Sequence, residues 1–335
     1  MPEKKEMSRV SNKQSKKSKH SQKGKKSKKS STSVLKKIVV GILIFAALVI
    51  IAGIGLFTYY VSSAPDLTEN DLTDTVASTL LDSNEEEFLN LGGENREIVT
   101  ENDIPQVLKD AIIAIEDQRF YKHVGIDPIR IAGAVVANVT DGFASEGGST
   151  ITQQLVKLSV FSTGSEDQTL KRKAQEAWLS IQLEQDYSKE QILTFYINKV
   201  YMSDNTYGMG TASDYYFGKP LAELTLSEAA LLAGMPQAPN SFNPITNPED
   251  ATKRRNLVLD MMVENEAITA AEAQEAKAAD VTQGLVDHSE EQTNNMVFDP
   301  YVKEVLAEIK RKTNLDPYTS GLTIHTNLDM DAQQR

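Results

Sequence analysis

Apolar positions change character along the chain. Residues 1–33 are Lys, Ser, Gln and Gly with almost no apolar side chain. Such a segment cannot bury enough surface to offset its ordering entropy, so it is predicted to be disordered. Ile38 to Val61 (IVVGILIFAALVIIAGIGLFTYYV) is apolar and carries no charge; at about 24 residues it is long enough to span a hydrocarbon core. It exceeds the roughly 7–15 apolar residues of a signal peptide, and Pro65, close behind the small Ser62 and Ala64, disfavours cleavage. Lys36 and Lys37 mark a cytoplasmic end, and Tyr59 and Tyr60 suit the outer interface.

From about Val76 to Met262 the pattern is mostly helical. Pro105 opens a helix with the apolar stripe Leu108, Ala111, Ile112 and Ile115. Ser188 with Gln191, and Thr225 with Glu228, form capping-box signatures for two more. Gly147-Gly148 and Gly208 to Gly210 mark loops. Alternating strand signals are scarce, so the fold class is mainly α. Residues 266–295, rich in Ala, Glu and Gln, are predicted to be helix or linker, and Gly321 to Asp329 (GLTIHTNLD) alternates like a strand. The expected organisation is a basic cytoplasmic tail (1–37), a transmembrane helix (38–61), a linker (62–75), a helical catalytic body (76–262), and a linker leading into the start of a further domain (263–335).

Charge sharpens this division. Residues 1–37 hold roughly fourteen Lys/Arg against two acids, about +12, which leaves about −24 for the rest of a chain whose net charge is −12. A basic arm on an acidic body describes two compartments; a nucleic-acid binder would carry its positive charge on the folded domain. The basic run fits a solvated topogenic tail better than a lipid-binding device. With no cysteine among 335 residues, disulfides, thiolate metal ligands and a cysteine nucleophile are excluded.

Chemistry-bearing residues cluster in blocks. In Glu116 to Gly125 (EDQRFYKHVG), a continued helix would put Glu116, Phe120 and His123 on one side, beside the apolar stripe, with Asp117 pointing away. A carboxylate at the edge of an apolar surface is partly desolvated and suits a general base. In Gly147 to Lys157 (GGSTITQQLVK), Ser149 is expected to cap a helix on which Thr150, Gln154 and Lys157 share a polar face suited to a phosphate or sugar. The block lacks the Walker A pattern, which excludes that mode of nucleotide binding. In Arg172 to Trp178 (RKAQEAW), Arg172 and Glu176 are spaced i,i+4. This is either a surface ion pair worth about 0.3–0.5 kcal/mol or part of a set, with Lys173, that neutralises a leaving group. The stretches Ile192 to Tyr201 with Tyr207-Gly208, and Glu228 to Gly234 with Pro236, Pro239, Asn243 and Pro244, each read as structural when taken alone.

Together and in this order, EDQRFYKHVG, GGSTITQQLVK, RKAQEAWLSIQLE, ILTFYINKVY…YG and EAALLAG resemble the glycosyltransferase domain of bifunctional (class A) penicillin-binding proteins, with the 1A type as the nearest pattern. The resemblance implies a lysozyme-like, mostly helical fold with a cleft between two lobes, and the polymerisation of lipid II into glycan strands in cell-wall biosynthesis. It makes Glu116 the general base and Glu176 the second essential carboxylate. It places Thr150, Gln154, Lys157, Arg172 and Lys173 along the donor and its diphosphate, has Phe120 and His123 shape the cleft, and sets Asp117 among the substrate-binding residues. It leaves room for a divalent cation, Mg2+ or Mn2+, on the diphosphate, although the sequence holds no dedicated ligand cluster. It also leaves room for protein partners in the wall-synthesis machinery. The expected location is the cell membrane, with a single pass, the N-terminus cytoplasmic and the catalytic domain outside.

Two departures stand out: Leu158 occupies a position where many relatives carry Asn, and Ser159 to Thr169 is slightly longer than usual. A transpeptidase domain follows in this family, and 263–335 is expected to hold only its start. Ser33-Val34-Leu35-Lys36, Ser203-Asp204-Asn205 and Lys312-Thr313-Asn314 imitate that domain's motifs in the wrong places, so β-lactam acylation is not expected. The rival readings are a lysozyme-like lytic enzyme and a non-catalytic scaffold. A hydrolase has no diphosphate for Lys157, Arg172 and Lys173 to hold, and a scaffold has no need of Glu116 and Glu176.

Overall fold

The computed structural model describes residues 31–73, 78–91, 98–140, 148–161, 169–204, 206–288, 299–313, 315, 317 and 322–333. The disorder expected for 1–33 falls almost wholly outside them, as do Gly147, most of the Ser159 to Thr169 stretch, Asn205 and Asn314. The chain divides into two compact units, Met1–Leu56 and Phe57–Arg335.

Helix α1 (Ser31–Val61) contains the apolar run expected from the sequence. Within it, Lys36–Val61 is long and apolar enough to cross a membrane. At 1.5 Å per residue its 26 residues extend roughly 39 Å. Its side chains, among them Ile42, Leu43, Phe45 and Ile51, are exposed.

The second unit is mainly α-helical. After α2 (Glu69–Thr73) come α3 (Gln106–Glu116), α4 (Pro128–Thr140), α5 (Ile151–Val160), α6 (Leu170–Asp186), α7 (Lys189–Lys199), α8 (Met209–Phe217), α9 (Leu226–Gly234), α10 (Pro248–Glu264) and α11 (Ala270–Ala278). Polar caps decide where several of them begin. Thr150, Ser188, Thr225 and Thr269 each accept a hydrogen bond from the backbone N–H three residues on, and the Gln or Glu side chain at that position accepts one from the cap's own N–H. The cap of α5 is therefore Thr150, one residue beyond the expected Ser149.

After Ser227 and Glu228 in its first turn, helix α9 is wholly apolar, and Ala229 to Gly234 are all buried. It packs against α3 and α10, while α5 packs against α6 and α7. One continuous core results, which includes Leu108, Ile112, Phe120, Ile151, Leu155, Ile192, Tyr196 and Val258.

A hairpin that the pattern did not predict precedes α3. Strands β1 (Ser78–Leu81) and β2 (Glu87–Leu91) pair antiparallel, and β3 (Thr323–His325) adds to β1 in parallel, with Leu80 opposite Ile324. The sheet and α12 (Asp299–Thr313) bury Leu80, Leu91, Val302, Leu306 and Ile324 in a separate small core. Strands of four and five residues show too few alternations to read, and β1 finds its second partner more than 240 residues away. The alternating GLTIHTNLD stretch does contain a strand, followed by the short α13 (Met330–Gln333).

Candidate active site

The first candidate block does not continue as a helix. Helix α3 stops at Glu116 because Asp117 takes φ −159° and ψ 75°. The chain then turns through Phe120–Lys122 and crosses α6 at Gly125. Gly125 has φ +81°, and a Cβ there would lie 2.5 Å from the backbone of Ser180, so the close approach requires glycine.

This break reassigns the block. Glu116 ends α3 only 9% exposed. Its Oε2 accepts a hydrogen bond from Gln154 Nε2 at 2.7 Å, and its Oε1 lies 3.7 Å from Arg254 Nη2. Tyr196 donates to Gln154 Oε1 at 3.4 Å, which fixes the amide's direction. Burial, reinforced by the nearby Glu116 charge, pushes the Tyr196 phenol well above its ordinary range, so it stays a neutral donor.

Asp117, expected on the side away from Glu116, is wholly buried. Its Oδ2 lies 2.8 Å from His123 Nε2 and accepts from the Ile151 N–H at 3.1 Å. Phe120 is buried edge-on to His123 with ring centroids 6.1 Å apart. Asp117, Phe120 and His123 therefore lie behind Glu116 and hold the start of α5 against the end of α3. On its other side His123 meets Lys189 Nζ at 3.4 Å and Glu184 Oε1 at 3.7 Å. Glu184 in turn accepts from Lys189 at 2.7 Å and Thr152 at 2.6 Å.

In the second block, Thr150 leaves the expected polar face. It is buried as the helix cap, and its hydroxyl donates to Gly125 O at 2.6 Å. Gln154 and Lys157 do share a face, on which Gln154 reaches Glu116 and Lys157 approaches α6. At Lys157, burial first and then the Arg172 and Lys173 charges lower the ammonium pKa, against the opposing pull of Glu176.

The third block is buried and is not a surface ion pair. Glu176 has no side-chain exposure; its Oε1 lies 3.0 Å from Arg172 Nε and its Oε2 lies 2.7 Å from Lys173 Nζ. Lys173 also donates to Ser149 Oγ at 3.1 Å. Lys157, Thr169, Leu170, Arg172 and Lys173 line an open cavity of about 320 Å³. Three cations against one carboxylate leave this wall with a net positive charge, which suits an anion.

Sequence reasoning missed Arg254. It lies in Lys253-Arg254-Arg255, a charge run that looks like a solvated helix face, and only packing reveals its role. Its Nε donates to Gly234 O at 2.9 Å, its guanidinium lies 5.5 Å from the Phe242 ring, and a Cβ on Gly234 would come within 3.0 Å of its side chain. The remaining blocks are structural. Asn198 exchanges two hydrogen bonds with Val99, at 2.9 and 3.0 Å, and Asn243 ties down Ser203 and Asp204, which have positive φ.

The family described as Transglycosylase matches residues 84–263. Penicillin-binding protein 1A of Streptococcus oralis is 48% identical over 292 residues, 87% of this chain and 46% of that protein. Penicillin-binding protein 1A/1B of Bacillus subtilis is 46% identical over 303 residues, 90% of this chain and 33% of that protein. Penicillin-binding protein 1A of Streptococcus pneumoniae is 47% identical over 292 residues, 87% of this chain and 40% of that protein. The chain thus spans less than half the length of these relatives. The chain belongs to the transglycosylase family.

Proposed function

We propose that this chain is a peptidoglycan glycosyltransferase that extends glycan strands from lipid II at a membrane surface. The carrying observation is the placement of two chemistries on one face of α5. Gln154 orients the Glu116 carboxylate, and Lys157, three residues and roughly 4.5 Å further along the axis, belongs to the cationic wall of Arg172 and Lys173.

Glu116 takes the proton of the acceptor's 4-hydroxyl. The acceptor oxygen forms its bond to the anomeric carbon of the lipid-linked donor as the bond to the diphosphate oxygen breaks. The configuration inverts, and undecaprenyl diphosphate leaves with the electron pair. A carboxylate base opposite the departing group is also the logic of inverting glycosidases. Lys157, Arg172 and Lys173 balance the charge that develops on the diphosphate. Glu176 is the second carboxylate, on the donor side, and acts by holding Arg172 and Lys173 in place.

Among the described residues no group of three or more His, Asp or Glu could hold a metal ion, and the donor wall is cationic. The cationic chemistry of the described donor wall therefore does not fit a resident Mg2+ or Mn2+. A divalent cation would enter with the diphosphate oxygens of the substrate, and protein partners would come from the wall-synthesis machinery. Lys36–Val61 would anchor the chain with its N-terminus cytoplasmic and the catalytic body outside, beside the lipid-borne substrate.

The test is incubation of the detergent-solubilised chain with lipid II and magnesium, alongside Glu116→Gln, with products resolved on a gel. A glycan ladder from the wild type that disappears in the variant is expected. A folded wild-type chain that makes no ladder would overturn the reading.

A further inference from the structure

Arg130 stands out because its contact falls on the proposed base's own backbone. It lies in the first turn of α4, and that turn is fixed independently. The buried Asp127 accepts from the N–H groups of Ile129 at 2.9 Å and Arg130 at 3.2 Å through Oδ1, and from Arg119 Nε at 2.8 Å through Oδ2. The hydrogen bonds to the helix N–H groups and Arg119 bring the Asp127 carboxyl below its usual range, although burial, the largest single influence, pushes the other way. From this anchored turn the guanidinium reaches back to α3. Arg130 Nη1 donates to the carbonyl oxygen of Glu116 and lies 3.7 Å from Asp117 Oδ1.

Glu116 O accepts a hydrogen bond from this cation, and Asp117 Oδ1 feels its charge. The last carbonyls of a helix have no partner within the helix and carry the negative end of its dipole, where a cation is stabilising. Asp117 is wholly buried, and Arg130 lies 3.7 Å from its Oδ1, within ion-pair reach but beyond a hydrogen bond, while His123 and the Ile151 N–H take Oδ2. A buried acceptor that loses its donor bears the desolvation penalty, and the local backbone shifts to regain water. The backbone that would shift here is the one that carries the Glu116 carboxylate.

We propose that Arg130 is a positioning residue for the glycosyl transfer: it clamps the C-terminus of α3 from α4, so that Glu116 meets Gln154 in one orientation. This rests on the reading of Glu116 as the base. A side chain that only aims the base affects the chemical step and leaves substrate binding alone, because displacement of a catalytic group by an ångström is costly in rate. The signature is a fall in kcat with KM for lipid II unchanged.

The experiment measures kcat and KM for lipid II, with thermal melts, for the wild type, Glu116→Gln, Arg130→Met and Arg130→Lys. Arg130→Met is expected to lose about tenfold or more in kcat with KM within about twofold, consistent with the cost of a misplaced catalytic group. Arg130→Lys keeps a cationic donor and should recover most of the loss. If Arg130→Met fails to fold, Arg130→Gln, which keeps a neutral donor, carries the same expectation. The inference is overturned by a kcat within twofold of wild type. It is equally overturned by a loss that falls on KM, or by an equal loss in the Lys and Met variants that follows their melting temperatures. An active Glu116→Gln would instead sink the base assignment, whereas an inactive Glu116→Gln beside a fully active Arg130→Met sinks only the role of Arg130.

Discussion

Glu176→Gln removes one charge from a group that the rest of the wall depends on. The carboxylate has no exposure and has Arg172 at 3.0 Å on one oxygen and Lys173 at 2.7 Å on the other. The two pairs should differ greatly in value. Lys173 is 52% exposed, so water already solvates its ammonium and its pair contributes about 1 kcal/mol or less. Arg172 is only 7% exposed, and Glu176→Gln takes the carboxylate charge from its 3.0 Å contact. Breaking such a pair from one side costs about 3–5 kcal/mol. At about 2–4 °C of melting temperature per kcal/mol for a domain of this size, Glu176→Gln should melt roughly 6–20 °C lower. Lys173→Met should shift it by no more than about 4 °C. The assay is thermal unfolding of the detergent-solubilised chain, followed by circular dichroism. The double variant Arg172→Leu with Glu176→Leu should recover much of the loss, because the buried pair is then replaced as a unit. Equal shifts for Glu176→Gln and Lys173→Met, or a double variant worse than the sum of its singles, would refute this reasoning.

Gly125→Ala should lose at least about 1–2 kcal/mol for positive φ alone, and more because the new methyl meets the Ser180 backbone at 2.5 Å; a melting temperature equal to wild type would show that the loop can give way. Lys157→Met should abolish strand synthesis yet melt higher than wild type at pH 7. The sign follows from linkage: the folded pKa is depressed, so the unfolded chain binds more protons, and the fold gains stability as pH rises through the folded pKa toward the ordinary lysine value. The difference between Lys157→Met and wild type should therefore narrow as pH rises toward the ordinary lysine value of 10.5 and then level off, and a constant difference across that window would contradict it.

Local signals were readable wherever one residue satisfies a neighbour along the chain. The capping boxes at Ser188 and Thr225 are three-residue exchanges and appear as expected. The apolar run Lys36–Val61 and the stripe Leu108, Ala111 and Ile112 are equally local. The five blocks pointed to the family because their order is itself a property of the sequence, and the family match over 84–263 agrees.

The reading failed where helical periodicity was carried past a break. The end of α3 at Asp117 turns that residue from an outward-facing carboxylate into a buried clasp on His123 and Ile151. No local pattern announces it, because the stabilising partners come from α5 and from the turn after Phe120. The β1–β2 hairpin went unseen for the same reason, since its cover is a strand and a helix near the far end of the chain.

The sequence by itself determined which segments are helical, where several of them start, which segment is apolar enough for a membrane, and which residue types the family's chemistry needs. These depend on neighbours within about one helical turn or on composition. The tertiary structure decided which charges are buried and which they face. Arg172–Glu176 could have been a weak surface pair, and Arg254 and Arg130 could have been solvated cations. Burial beside Glu176, Glu116 and the end of α3 separates them from other charged residues, and burial is set by elements distant in sequence that pack together.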